Sequence, residues 1–315
     1  MKKILVILCL LLSLCGCSKK DEVIDTSSLS IVCPKGAPVL AFYDYIGNDN
    51  FTRVSADAIS ALWTGDNSPD VLVVDITSGI KAISNGADYK LGAVITFGNF
   101  YLASTGSDEN NVMDEDDKIV LFGNENMLPS KIFHYLFGSE FDSNLIYEAD
   151  AQTAAGALAS AKASQGSDVD YVFLAQPALF ASLKKNENAS IYLDIQEEYK
   201  NKTGQDMIQA AVFINNRVEE NIANKFLEEL NESIEKGLND HELIKNGLSV
   251  YSEEEALAEY GFNPDVILNV LNMNNALGNN AIGLGYKKAI DIKEDIDSFI
   301  NVFGSEKTSE EIYIK

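Results

Sequence analysis

Short apolar runs alternate with stretches of helical period along most of the chain. Residues 29–33 and 71–74 are largely apolar runs bounded by turn residues, and each predicts a buried strand. Further strands are predicted at 93–96, 101–104, 119–122, 145–147, 171–174 and 191–193, and residues 210–214 are apolar again. Helices are expected between them at 39–46, 56–63, 78–84, 129–137, 153–163 and 177–183. Beyond residue 215 the pattern turns helical: Val218, Ile222, Phe226, Leu230, Ile234 and Leu238 form one apolar stripe opposite a charged face. Ser252 and Glu255 have the spacing of a capping box, and Pro264 after Asn263 marks another helix start. Strands alternating with helices predict α/β architecture.

The N-terminus changes the compartment. Lys2 and Lys3 precede an apolar run from Ile4 to Leu12, too short for a span of about 20 residues but suited to the core of a secretion signal. Leu14-Cys15-Gly16-Cys17 follows directly and has the form of a lipobox, in which small residues admit a peptidase and the Cys17 thiol takes a diacylglycerol. Residues 1–16 are therefore expected to be a lipoprotein signal and 17–28 a polar, Ser-rich tether, holding the chain by lipid on the extracytoplasmic face of the cell membrane. Cys9 and Cys15 leave with the signal and Cys17 is acylated, so Cys33 alone remains and no disulfide is expected. Cys33 lies in a strand-like run, which fits a buried packing cysteine better than a nucleophile.

Charge excludes one class of partner. Removing Lys2 and Lys3 from the 24 basic residues leaves 22 against 48 acidic ones, so no basic face for nucleic acid is expected. Enzyme templates fail in turn. His134 and His241 have no His-x-x-x-His partner, no Gly-x-Ser-x-Gly elbow or phosphate-binding Gly-Lys-Ser/Thr loop occurs, and the acidic run 114–117 lacks the Gly and terminal Glu of a calcium loop. No metal, cofactor or catalytic residue is expected. What remains is a set of polar and Gly-rich turns after predicted strands, at 34–38, 75–78, 97–99, 123–129 and 176–177. In α/β sheets such turns gather at the carboxyl ends of strands, where ligands bind and free N–H groups at helix starts can hold a polar edge.

Several of these segments carry a resemblance. Lys35-Gly36-Ala37-Pro38, Pro69-Asp70-Val71-Leu72-Val73-Val74-Asp75, Gly86-Ala87-Asp88-Tyr89-Lys90-Leu91-Gly92-Ala93-Val94 and Thr96-Phe97-Gly98-Asn99-Phe100-Tyr101-Leu102 resemble the solute-binding proteins of ABC importers, of the nitrate/sulphonate/taurine and thiamine-precursor type. Phe97 stands where that family has Trp, and Gln176 in Tyr171-Val172-Phe173-Leu174-Ala175-Gln176-Pro177 stands where it more often has Glu, an exchange that removes a negative charge. Ile312-Tyr313-Ile314-Lys315 is similar to a common ending of the family. The resemblance covers residues 29–315 and is strongest at 35–103.

The resemblance implies a two-lobed α/β fold of the type II periplasmic-binding-protein kind, with mixed sheets flanked by helices and a ligand cleft between lobes. It implies a first lobe at 29–103 and 207–315 and a second at 104–206. It assigns Gly36, Ala37, Thr77, Ser78, Phe97, Asn99, Asn124 and Gln176 to the cleft, and a small organic or oxyanion solute as ligand. An anion would depend on backbone N–H groups, hydroxyls and Lys35, because Arg53 and Arg217 are the only arginines. The implied partners are the solute, a permease and its ATPase, with the binding protein a monomer. Two rivals are a pyrimidine-precursor-type enzyme on the same fold, which would draw on His134 and Cys33, and a surface adhesin or sensor lipoprotein.

Overall fold

The computed structural model describes residues 24–65, 67–107, 112–273, 281–304 and 308–315. The predicted signal, Cys17 and most of the tether lie outside the described residues, as does 108–111 within the predicted acidic connection.

Eleven strands form two sheets among the described residues. The first has the order β11-β4-β10-β3-β1-β2, built from β1 (Ile31–Pro34), β2 (Phe51–Val54), β3 (Val71–Asp75), β4 (Tyr89–Thr96), β10 (Ala210–Asn215) and β11 (Leu284–Lys288). The second has the order β7-β6-β8-β5-β9, built from β5 (Phe100–Ser104), β6 (Ile119–Phe122), β7 (Leu145–Glu148), β8 (Tyr171–Ala175) and β9 (Ser190–Asp194). Both are mixed. In the first, β2, β1 and β3 run parallel and β10 runs antiparallel between β3 and β4. In the second, β7, β6 and β8 run parallel and β5 runs antiparallel between β8 and β9.

Burial on both faces explains why the central strands read as continuous apolar runs. Val71–Val74 of β3 and every residue of β10 are buried between helices on either side. Helix α1 (Ile76–Ser84) packs on β3, β4 and β10, and the chain next forms α2 (Leu128–Phe137), α3 (Ala151–Ser160), α4 (Ala178–Leu183) and α5 (Ile195–Thr203). Helix α3 packs on β8, and α5 on β5 and β9. The long apolar stripe becomes α6 (Glu220–Asn239), which buries Phe226, Leu230 and Ile234 against the first sheet's β11 side. Helices α7 (His241–Leu248), α8 (Glu253–Tyr260), α9 (Ile267–Leu271) and α10 (Lys293–Phe303) complete that half. Ser252 and Glu255 make both bonds of the expected capping box on α8.

Two expectations need correction. Residues 39–46 and 56–63 are not α-helices but 3₁₀ turns at Ala37–Phe42 and Ala56–Ala61. In the first, Pro38 sits in the opening turn, and Phe42 stacks on Phe51 at 5.3 Å, so ring packing rather than helix length fixes the segment. Strand β5 runs in the second sheet, so the chain passes from one sheet to the other over 97–99. Residues 100–104 are all buried, so their apolar run carries no mark of the sheet they join.

The far end of the first sheet is pinned by Asp70. Its carboxylate accepts from Ser30 N at 2.9 Å, Ser30 Oγ at 2.7 Å and Arg217 Nε at 2.8 Å, joining the starts of β1 and β3 to the end of β10. Burial works against the charge, but the Ser30 and Arg217 bonds outweigh it and hold the pKa below the ordinary 3.8. A depressed carboxyl pKa contributes stability that is present above the ordinary value and lost as pH falls through the folded value. Asp70→Asn is expected to destabilise the protein by about 1–2 kcal/mol at pH 7, allowing for partial solvent screening. Urea denaturation against pH checks it: the gap to the unsubstituted chain should close as pH falls below 3.8.

Candidate functional site at the facing sheet edges

Register brings the turns to two edges. In the first sheet Ala210 lies opposite Asp75 and Leu284 opposite Thr96, so the ends of β3 and β4 and the starts of β10 and β11 share one edge. Parallel pairing of β1 with β3 places the Pro34–Ala37 turn at that edge too. In the second sheet Phe100 lies opposite Ala175 and Tyr101 opposite Asp194, so the ends of β8 and β9 flank the start of β5. Residues 97–99 connect the two edges directly, and residues 204–209 return from α5 to β10. The edges thus face each other across two crossing segments.

Side chains lock the crossing. Gln209 Oε1 accepts from Gly98 N at 2.9 Å, while the Gln209 backbone donates to Thr96 O at 3.1 Å and accepts from Ile76 N at 2.9 Å. Phe97 N donates to Gly283 O at 2.7 Å, and Tyr101 OH donates to Ala281 O at 2.9 Å. On the other side, Gln176 N donates to Asn99 O at 2.9 Å and Asn99 Nδ2 returns a bond to Gln176 O at 3.2 Å. Gly98 has φ +81°, and a Cβ there would fall 1.6 Å from Gln196 Oε1, so only glycine fits beneath that amide.

The residues expected in the cleft divide into four groups. Phe97, Asn99 and Gln176 come together at the crossing, and the start of α1 joins them through Ile76 and Gln209. Thr77 and Ser78 stand on that first turn but are already engaged. The Asp75 carboxylate accepts from Thr77 Oγ1 at 2.6 Å and Ser78 N at 2.9 Å, so the helix start binds its own anion. Gly36 N donates to Tyr260 O at 2.7 Å, and Ala37 is buried in the turn that packs on β4 and β11. Asn124 is exposed in the turn after β6, where its side chain accepts from Asn126 N at 2.9 Å, apart from the hydrogen bonds that tie the crossing group together.

The cations that an anion would need are committed. Lys35 Nζ donates to Ala258 O, in the helix whose Tyr260 carbonyl accepts from Gly36 N. Arg53 pairs with Glu259 at 2.6 Å and lies over Tyr251 and Tyr260, and Arg217 holds Asp70 and Ser68. Lys287 Nζ sits 5.0 Å from the Phe97 ring centroid and 3.4 Å from Asp206, which Lys200 also meets at 2.9 Å. Burial opposes the Asp206 charge, but the two lysines outweigh it and lower its pKa.

Pattern reading passed over Asp194, Gln196 and Gln209. Asp194 caps α5, accepting from Gln196 N at 2.9 Å through Oδ1, while its Oδ2 is buried with no partner. Burial raises its pKa, and the Glu197 and Gln196 amides only partly offset this. Gln196 and Gln176 are each 1% exposed; both side-chain atoms of Gln196 and Nε2 of Gln176 are likewise unpartnered. Leaving such an atom unpaired costs about 1–3 kcal/mol, so four at one edge make it the least satisfied polar region among the described residues. Only the Asp194 cap before an acidic helix turn was a usable sequence signal.

The residues an enzyme would recruit are occupied structurally. Cys33 is fully buried, its thiol pushed well up by desolvation. Ser130, His134 and Asp142 form a chain, with His134 Nε2 2.8 Å from Asp142 Oδ1. However, His134 Nδ1 is 2.7 Å from the Ser130 backbone carbonyl and 3.3 Å from its hydroxyl, so the ring serves the carbonyl rather than a nucleophile. Two cavities lie elsewhere: one of about 320 Å³ beside Asp44 and Ser233, and one of about 710 Å³ at the opposite end of the first sheet, lined by Lys90, Asn215 and Tyr313.

Two mixed sheets of this order, joined by two crossings, define the two-lobed fold of type II periplasmic binding proteins. Solved structures agree. An ABC transporter structure from Parabacteroides distasonis superimposes with a TM-score of 0.70 at 18% identity, covering 91% of this chain and 98% of that one. The ligand-binding component of an ABC-type import system from Staphylococcus aureus, solved with zinc bound, gives 0.61 at 11% identity over 91% and 96%. The periplasmic aliphatic sulphonate binding protein of Escherichia coli gives 0.61 at 13% identity over 91% of each chain. No protein-family model matches the chain, and no curated protein sequence does.

The crossing makes a direct prediction. Gly204 has φ +76° with nothing within 4 Å of a Cβ, whereas Gly98 meets Gln196. Gly204→Ala should cost about 1–2 kcal/mol from backbone strain alone, and Gly98→Ala a further ~1–3 kcal/mol from the collision. Urea unfolding of both variants checks this, and equal losses would contradict the packing described.

Proposed function

We propose that the chain is the lipid-anchored solute-binding component of an ABC-type importer. It takes up a small organic or oxyanion solute between its lobes by hinge closure and presents it to a permease and ATPase. The observation that carries the proposal is the pair of facing sheet edges with four buried, unpartnered polar atoms at the crossing. The type II fold and its solute-importing neighbours support it. The first lobe comprises residues 29–96 and 210–315, the second 100–203, with hinges at 97–99 and 204–209. Asn99, Gln176 and Phe97 are placed at the solute, with Thr77, Ser78, Gly36, Ala37 and Asn124 on the lips of the cleft. The protein acts as a monomer and catalyses no reaction; the committed states of Cys33 and His134 support that reading over an enzyme.

Cys17 carries the anchor in this proposal. Two or three acyl chains hold a protein stably, at about 0.8 kcal/mol per buried CH₂, so Cys17→Ser should move the chain from the membrane to the soluble fraction. Natively purified protein should carry a solute detectable by mass spectrometry. Returning that solute at about 100 times its Kd to the stripped protein should add about 2.7 kcal/mol of stability. A broad solute library that shifts no melting curve, with no solute recovered from native protein, would refute the binding function.

A further inference from the structure

The orphaned atoms at the crossing have a definite chemical sense. Gln196 Oε1 can only accept, as can Asp194 Oδ2 in the ionised form, and Gln176 Nε2 and Gln196 Nε2 can only donate. They belong to one edge. Gln176 is bonded to Asn99, Asp194 lies opposite Tyr101, and the Gln196 amide rests on Gly98. Ala175 and Asp194 flank β5 on either side, at its Phe100 and Tyr101, which puts their backbones about 10 Å apart at two strand spacings with β5 between them.

The surrounding charge is one-sided. Asp75 and Asp194 stand at the two edges, each capping a helix start, so neither helix end offers its first-turn amides to an incoming anion. Lys35, Arg53, Lys200 and Lys287 are each committed to a carbonyl or carboxylate. A sulphonate here would meet the unpaired Asp194 oxygen, and each of these four cations would have to give up an existing partner to bind it.

We infer that Asp194, Gln196 and Gln176 are the specificity-determining contacts of the cleft, and that they select a small neutral or cationic solute bearing polarised N–H groups, such as an amine, amidine or amide, over sulphonate and nitrate anions. This rests on the solute-binding reading and narrows its ligand. The solute's N–H groups donate to Asp194 Oδ2 and Gln196 Oε1, and its own acceptor, where it has one, takes Gln176 Nε2. Buried as they are, these atoms become reachable when the lobes part.

Calorimetry on the stripped full-length chain in detergent tests the assignment, with guanidinium, cytosine and acetamide as N–H probes and ethanesulphonate and nitrate as anions. At least one N–H probe should bind saturably and neither anion should. Asp194→Asn removes the charge while Asn remains a good helix cap, and should weaken that probe at least tenfold with the melting curve intact. Gln196→Met, of similar length and without hydrogen-bonding capacity, should weaken it comparably and serves if the first variant fails to fold. Binding of ethanesulphonate or nitrate in place of the N–H probes overturns the inference and leaves the solute-binding reading standing, as does an affinity unchanged by both substitutions. If no probe binds, the inference fails, while the solute-binding reading stands or falls on the library screen and native solute recovery above.

Discussion

The hydrogen bonds that Gln209 makes to the crossing strand hold the rest of the site in place. Its side chain takes Gly98 N, and its backbone reaches Thr96 and Ile76. One residue of the returning segment thereby fixes the outgoing segment, the end of β4 and the start of α1. Without it, three buried backbone groups at the meeting of two sheets, Gly98 N, Thr96 O and Ile76 N, would need other partners. Gly98 completes the arrangement, because its missing Cβ is where the Gln196 amide lies. Positions on both sheets are therefore referred to one short peptide. This is the mechanical requirement of a hinge: a few residues that can rotate while each lobe stays rigid.

The rigidity of each lobe comes from burial on both sheet faces. The same feature decided what could be read from the chain. Val71–Val74, the α6 stripe and the Ser252–Glu255 cap were legible because each is a local pattern with one physical solution. Strands β2 and β11 were missed because they lie at the sheet's two margins, where Thr52, Arg53, Lys287 and Lys288 remain partly exposed and break the apolar run. Helix α5 was missed for a related reason: Ile195, Gln196 and Tyr199 are its only buried positions, too few to mark a stripe.

The candidate site was legible only in part. A Gly-Asn turn between two apolar runs pointed to residues 97–99, and the strand-end rule pointed to Gln176. Asp194 and Gln196 could not be found that way. What distinguishes them is a missing partner in three dimensions, and no spacing in the sequence records that. The same blindness affected charge. Lys35 looked available as a ligand cation from its place in a turn, yet its ammonium reaches Ala258, and Thr77 and Ser78 looked free until Asp75 was seen to bind both. Fold likeness does not repair this. Neighbours at 11–18% identity share the frame, while ligand choice sits in a handful of side chains at its edges.

The central claim is that solute is held where the two sheet edges meet at the crossing. Hydrogen exchange by mass spectrometry, comparing natively purified protein with the same chain stripped by unfolding and refolding, tests it most directly. The account predicts slower exchange in the native sample at peptides spanning 75–78, 96–101, 174–180 and 194–210, with little change elsewhere. Protection confined instead to the large cavity around Lys90, Asn215 and Tyr313 would contradict it.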